Sequence, residues 1–357
     1  MTNAIKIFLP SIVAFTIGIF LTPLATHYFY KYKMWKRTAR SNNISDENYD
    51  QDVLDKFSKI HNDKAEISTP RVGGMIIWIS VILTVAVFLL IDSIFQNNLS
   101  EKLSFISRNQ TLLPFFSLIA ASLIGLGDDF LQIFGKGRWA SDPLVLRYLK
   151  IGIILLLGLI IGLWFYFKLG VTDLYIPWVG FVNLGYLFIP FFMLVMLSLW
   201  STSVIDGIDG LSGGVLAPIF TSYAIIAFFN NQLDIATFCG VVAGAILAFL
   251  WFNIPPARFY MGETGMIGLT VTLSVVAFMT NTVLLLPIIA FPLFITSLSN
   301  VIQIGSYKLR HGKKVFLLAP LHHHFEAMGW PKYKVTMRYW IVGIMTAMTG
   351  VIISLID

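Results

Sequence analysis

Long apolar runs separated by short polar segments dominate the chain. Runs of about 17–25 residues, the length that crosses the hydrocarbon core as a helix, fall at 5–30, 72–95, 112–127, 146–167, 185–203, 213–230, 235–252, 264–280, 282–304 and 337–356. They predict an all-α, polytopic integral membrane protein with ten transmembrane helices. The first run begins close to the N-terminus, but it is too long for a signal peptide. Leu21-Thr22-Pro23 is also no small-residue cleavage site, so the run is read as retained.

Composition agrees. The 357 residues are 57% hydrophobic and only 12% charged, whereas soluble domains carry about 45–50% and about 25%. A mean hydropathy of +0.77 requires a solvent as apolar as the side chains, which excludes a soluble two-domain protein. The single Cys239 excludes a disulfide framework and any CxxC metal or redox motif. A bound metal must therefore sit on oxygen or imidazole.

Charge then sets the orientation. The net charge of +6 points to basic cytoplasmic loops rather than to nucleic acid. Placing the loops 31–71, 128–150, 253–263 and 305–336 on one side collects nearly all of the Lys and Arg, among them Lys31, Lys33, Lys36, Arg37, Arg40, Lys136, Arg138, Arg258, Lys308, Arg310, Lys313 and Lys314. The opposite side holds little beyond Lys102, Arg108 and Lys168. The basic face is expected to be cytoplasmic and both termini outside. The stretch 41–66 is polar enough to be a mobile loop, and residues 1–357 are read as one membrane domain with decorated cytoplasmic loops.

Four polar clusters fall at the cytoplasmic helix ends, where charged side chains are costly and hence candidates for function. The first, GLGDDFLQIFGKG, carries Asp128 and Asp129, which diverge by about 100° on a helix and should meet different partners. A solvated helix end is its bland reading. The second, SVIDGIDGLSGG, spaces Asp206 and Asp209 three apart, on one helical face, among glycines. Helix packing explains the glycines but not two carboxylates. In the third, WFNIPPARFYMGETGMIGL, a Pro-Pro break precedes Arg258, Tyr260 and Glu263. This acid could simply complement a helix N-terminus, yet with the Asp pairs it suits a hard divalent cation such as Mg²⁺. The fourth, APLHHHFEAMGWPKYK, sets His322, His323 and His324 in a basic loop. Consecutive histidines match no zinc spacing, and donation to phosphate oxygens is their more natural use. Carboxylates for metal, basic groups for phosphate and an aromatic for stacking are the parts phosphoryl transfer needs.

The DD, DGxDG, NxxPAxxxxMGxxG and PxHHHFE elements, in this order, resemble the polyprenyl-phosphate N-acetylhexosamine-1-phosphate transferases. The stretch from Val301 to Val335 is similar to the muramoyl-pentapeptide branch, and the resemblance runs from about Thr69 to the C-terminus. It implies transfer of phospho-MurNAc-pentapeptide from UDP-MurNAc-pentapeptide to undecaprenyl phosphate, with Mg²⁺ required. UMP would be released and lipid I formed for peptidoglycan, at the cytoplasmic face of a bacterial plasma (inner) membrane. It also allows a homodimer and association with other cell-wall enzymes, and implies no nucleic-acid partner.

Carried over by the resemblance, Asp128 matches a base acting on the lipid phosphate, Asp129 its substrate-positioning neighbour, and Glu263 the metal-binding acid. Asp206 and Asp209 match the polar floor, and His323 and His324 the groups near the diphosphate and sugar, with His322 beside them. Tyr260 stands where an aromatic stacks on uracil, and Asn253 and Gln303 are nearby nucleoside contacts.

The chain departs from the pattern at several positions. Glu263 replaces the usual Asp, Ser203 replaces the Asn before DGxDG, and the basic residue before the TPxxGG turn aligns with Glu66 or, after a slip, with Lys64. Arg71 resembles the sister enzymes that use UDP-GlcNAc. A UDP-GlcNAc transferase is thus one alternative. A transporter or silent scaffold is another, although transporters place polar sites near the bilayer midplane rather than at helix ends.

Overall fold

The computed structural model describes residues 2–35, 68–107, 110–134 and 143–356. The stretch 41–66 with Lys64 and Glu66, and the basic residues Lys36, Arg37, Arg40, Arg108, Lys136 and Arg138, lie outside the described residues.

In chain order the helices are α1 Thr2–Lys31, α2 Met75–Phe95, the short α3 Asn98–Leu103, α4 Leu112–Phe134 and α5 Pro143–Leu163, the last ending in a wider turn over Trp164–Lys168. A hairpin of β1 Asp173–Ile176 and β2 Gly180–Asn183 follows, paired antiparallel with Asp173 opposite Asn183. Then come α6 Phe188–Ser201, α7 Leu211–Phe229, α8 Leu233–Asn253, α9 Gly262–Met279, α10 Leu286–Ile289, α11 Phe291–Leu309, α12 Leu321–Ala327 and α13 Lys332–Ile356. Among the described residues nine helices are long and apolar enough to cross a membrane, or ten if one bent pair is a single span. The protein is all-α and polytopic, as its apolar runs predict.

Helices α7, α8 and α9 form the centre and are buried on nearly every side. Their sequences suit that place. Helix α9 is threaded with Gly, Thr and Ser, which let neighbouring backbones approach closely. Thr270 and Thr272 donate their hydroxyls to the carbonyls of Met266 and Gly268, each at 2.7 Å, so neither brings an unpaired polar group into the core. Helix α4 lies along α9, with Gly125 against the backbone of Glu263 and Thr264 and with Gly268 against Ser122. A side chain at Gly125 would force the two helices apart.

Both termini sit at one end of the bundle. Lys6 pairs with Asp234 at the start of α8, and Ser354 lies beside Tyr175, Asn230 and Asn281. At the other end Tyr30 donates to the carbonyl of Arg258, at 3.1 Å, in the loop that carries the third polar cluster.

Four expectations change. The run 282–304 is not one straight span, because Val283–Ile289 and Phe291–Leu309 meet at 86°. Ala290 leaves helical geometry there (φ −106°, ψ 30°), and Pro292 supplies no amide to carry the hydrogen-bond ladder across. Helix α4 continues to Phe134, so Asp128 and Asp129 lie inside a helix rather than at the start of loop 128–150, and α5 already begins at Pro143. The loop 305–336 is largely structured, with α11 reaching Leu309, α12 covering the histidines and α13 starting at Lys332. Finally, Asp206 and Asp209 do not share a helical face. They sit in a turn between a short 3₁₀ segment, Thr202–Ile205, and α7, made possible by Gly210 at φ +74°.

Candidate functional site

The site is built where α4, α5, α9 and the turn 206–210 meet. Asp128 and Asp129 point to different partners, as their 100° separation predicts. Lys150, on the first turns of α5, places its ammonium 2.6 Å from Asp128 Oδ2 and 3.1 Å from Glu263 Oε1, bridging two acids from two helices. Gln132, one turn along α4, donates to the same Asp128 oxygen at 2.7 Å. Asp129 accepts from the backbone amides of Glu263 (3.1 Å) and Thr264 (2.9 Å). It thereby satisfies two of the amides orphaned at the start of α9, and fixes where Glu263 emerges.

Asp206 is tied to the same point. Its Oδ2 accepts from the Gly262 amide at 3.1 Å and its Oδ1 from Ser212 at 2.9 Å. Burial pushes its carboxyl above the ordinary value, against the opposing pull of the Arg71 guanidinium and these two hydrogen bonds. The first turn of α9 is therefore held by Asp129 from one side and Asp206 from the other. Gly262 makes this crowding possible at φ +68°, since a Cβ there would strike the Arg71 carbonyl and the Asp129 carboxylate. Gly262→Ala is accordingly expected to cost about 1–3 kcal/mol of stability and to abolish turnover. Thermal unfolding of the purified variant, read beside its activity, checks this.

The histidines approach from α12. His322 and His323 are buried. A Cβ built on Gly207 would come within 2.6 Å of His322 Nε2 and 3.2 Å of His323 Nε2, so both rings lie against the backbone beside Asp206. Glu326 holds the His323 Nδ1 at 2.6 Å, which fixes that ring with Nε2 toward the turn. His324 is placed differently. It accepts from the Leu317 amide through Nδ1 at 3.1 Å, and partial burial lowers its imidazole below the ordinary value.

The other singled-out residues lie around this cluster and are tied into it by hydrogen bonds. Asn253 is buried with its amide shared between the Gly210 N–H (3.0 Å) and the Phe259 carbonyl (2.8 Å). Asp209 accepts from the Ala257 amide at 3.1 Å and so pins the Pro-Pro loop to the turn. Gln303 uses both ends of its amide on Val315 and Phe316. Tyr260, half-buried, exchanges backbone hydrogen bonds with Pro70 and Gly73, which binds the third cluster to the chain around Arg71. The Ser203 carbonyl accepts from the Asp206 amide at 3.1 Å, closing the turn.

Sequence reasoning missed Lys150, Gln132 and Glu326. Lys150 had a signal, a cation four residues into an apolar run. The rule that intramembrane charge marks function covers bases as well as acids.

Four carboxylates, Asp128, Asp129, Asp206 and Glu263, thus surround two cations, Lys150 and Arg71. With all four ionised the site carries excess negative charge, although a diphosphate is itself an anion. Glu263 Oε2 is buried and has no hydrogen-bond partner. Among the described residues no three His, Cys, Asp or Glu side chains come close enough to hold a metal by themselves. The unpartnered Glu263 oxygen suits a hard cation such as Mg²⁺, which takes one or two carboxylates and completes its shell with water and substrate phosphate oxygens.

Residues 111–281 match the model of glycosyl transferase family 4. A phospho-N-acetylmuramoyl-pentapeptide-transferase from a Geobacillus strain is 34% identical over 96% of both chains. The proteins of that name from Bacillus subtilis and Chloroflexus aurantiacus are 31% and 33% identical, over 96% of both chains in the first case and over 82% of this chain and 78% of the relative in the second.

Proposed function

The chain belongs to the phospho-N-acetylmuramoyl-pentapeptide-transferase family, and from that premise we propose that it moves phospho-MurNAc-pentapeptide from UDP-MurNAc-pentapeptide to undecaprenyl phosphate, forming lipid I in the plasma membrane. The observation that carries this reading is the cluster at the start of α9. There a carboxylate oxygen without a partner, Glu263 Oε2, stands beside the Lys150–Asp128 ion pair.

The reaction exchanges one phosphorus–oxygen bond for another. An oxygen of the lipid phosphate attacks the sugar-linked phosphorus of the donor, and the bond from that phosphorus to the bridging oxygen breaks. Its electron pair leaves with UMP. Asp128 takes the proton of the lipid phosphate, Lys150 holds the negative charge that gathers between the two phosphates, and Asp129 keeps Glu263 in place by anchoring its amide. His323, its ring held through Nδ1 by Glu326, turns Nε2 toward the diphosphate beside the 206–210 turn. Glu263 is the residue that would hold Mg²⁺, which when bound supplies charge neutralisation at the diphosphate. Tyr260 is the aromatic for the uracil ring.

Purified protein in lipid vesicles should release UMP from the muramoyl donor only when polyprenyl phosphate and Mg²⁺ are both present. Release without the lipid acceptor would indicate a hydrolase and overturn the reading.

In this assignment the site faces the cytoplasm and both termini the outside, because that orientation puts the basic segments inside. A cysteine in place of exposed Lys313 should resist an impermeant thiol reagent applied to intact cells and react after permeabilisation. Cys239 is fully buried and gives little background. Labelling in intact cells would reverse the topology.

A further inference from the structure

The end of the bundle away from the site carries connections of two kinds. The α7–α8 turn, Asn230-Asn231-Gln232, and the α9–α10 turn, Thr280-Asn281-Thr282, are polar. The α5–α6 connection is not. No charged residue falls between Asp173 and Asp206, and the hairpin reads LYIPWVGFV from 174 to 182. At its tip Trp178 and Val179 are 73% and 72% exposed, with Phe181 behind them at 62%. An exposed apolar patch of this kind marks contact with another protein or with a membrane.

The turn is built against its own backbone preference. The Val179 amide donates to the Ile176 carbonyl at 3.0 Å, across Pro177 and Trp178, and Trp178 is left-handed at φ +62°. Glycine or asparagine is the ordinary occupant of such a turn position, so an indole held there points to a task for the indole. The hairpin behind it is braced. The Asn183 side-chain amide donates to Thr172 Oγ1 at 2.9 Å, and the Tyr175 and Phe181 rings meet edge-on across the strands with centroids 5.0 Å apart.

The flanking spans decide between the two partners. Measured from Lys150, residues 151–167 cover about 26 Å of helix, and measured from Asp206, residues 188–205 cover about 27 Å. The hydrocarbon core is about 30 Å thick. Both spans are therefore used up before water is reached on the far side, and their connection lies at the membrane surface. Phe167 and Tyr186, exposed at the two span ends, extend the same aromatic band. Trp and Tyr concentrate at that depth because their rings are apolar and their N–H or O–H groups are not.

We propose that the β1–β2 hairpin is an interfacial anchor, with Trp178 and Val179 inserted among the headgroups of the leaflet opposite the site, the outer leaflet in the orientation given above. The partner is the lipid surface whatever its charge, since the tip carries none to select with. Anchoring there fixes the height of α5, whose other end carries Lys150.

The test uses the full-length protein with Val179→Cys, labelled with a nitroxide, in vesicles of phosphatidylcholine and, separately, of phosphatidylglycerol. Electron spin resonance compares collisions with oxygen, which concentrates in hydrocarbon, and with a water-soluble nickel chelate. Cys239 is fully buried and stays unlabelled. Phe20→Cys, exposed midway along α1, sets the lipid limit, and Asn230→Cys, exposed in a polar turn, sets the water limit. In both lipids the Val179 label should lie on the lipid side of the phosphates, about 5–10 Å deep. Adding Trp178→Gly, which suits φ +62° and so keeps the turn, should move the label to the water limit. A label already at the water limit with Trp178 present, or a depth that follows lipid charge, would overturn the anchor. So would a depth unchanged by Trp178→Gly, or a label shielded from both reagents, which would put a second copy or another protein over the tip. The readout needs no turnover and is therefore independent of the donor and acceptor proposed above.

Discussion

Glu263→Gln is expected to lower kcat on the order of a hundredfold to a thousandfold, the scale of losing one electrostatic anchor in an active site. It should also shift the Mg²⁺ dependence to higher concentration. The substitution nearly preserves shape, and its remaining carbonyl can still accept from Lys150, so the Lys150 geometry should survive. What it removes is the negative charge and the oxygen at Oε2, which in the protein meets no hydrogen-bond donor. Glu263→Asp keeps the charge but draws it back by one methylene, and should retain part of the activity. Activity and Mg²⁺ titration unchanged in the Gln variant would move the metal to Asp206 or Asp129.

Asp128→Asn should cost about 10²–10⁴ in kcat at neutral pH, the range for loss of a positioned general base. Its pH dependence separates two roles. A phosphate monoester loses its second proton near pH 6, so below that pH the lipid phosphate still carries a proton for Asp128 to remove. Above it the phosphate is already fully ionised and needs the base less. The ratio of wild-type to variant rates should therefore be largest at acid pH and narrow as pH rises from about 6 to 9. A ratio constant across that range would assign Asp128 to holding Lys150 rather than to proton transfer. Lys150→Met complements this, since it should raise the KM for the lipid acceptor more than that for the donor.

Much of this arrangement is legible in the chain, for identifiable reasons. Span length is a strong signal because the bilayer fixes it, and nine of the helices follow directly from apolar runs. The acids were legible because a carboxylate beside such a run is costly. The break at Ala290 was hidden, since Pro287 and Pro292 sit in a run whose apolar character continues without interruption. The turn carrying Asp206 and Asp209 was read as helix from its spacing, although the glycines there allow a left-handed residue. Lys150 was overlooked because its partners lie on two other helices, Glu263 113 residues away in the chain. The backbone contacts of Asn253, Asp209 and Gln303 were not legible either. A polar residue near a site can be occupied by the backbone that shapes the site, and residue type does not show this. The β1–β2 hairpin was missed because its strands are only four residues each, too short to stand out between two spans.

The central claim is the identity of the transferred group, and a donor competition tests it most directly. Protein in vesicles with polyprenyl phosphate and Mg²⁺ is given equal amounts of UDP-MurNAc-pentapeptide and UDP-GlcNAc, and the lipid products are weighed by mass spectrometry. The muramoyl-pentapeptide product should exceed the GlcNAc product at least tenfold, about 1.4 kcal/mol in transition-state binding. A product mixture dominated by GlcNAc-phosphate would contradict the account, and would make Arg71 rather than the His322–His324 segment the guide to the sugar.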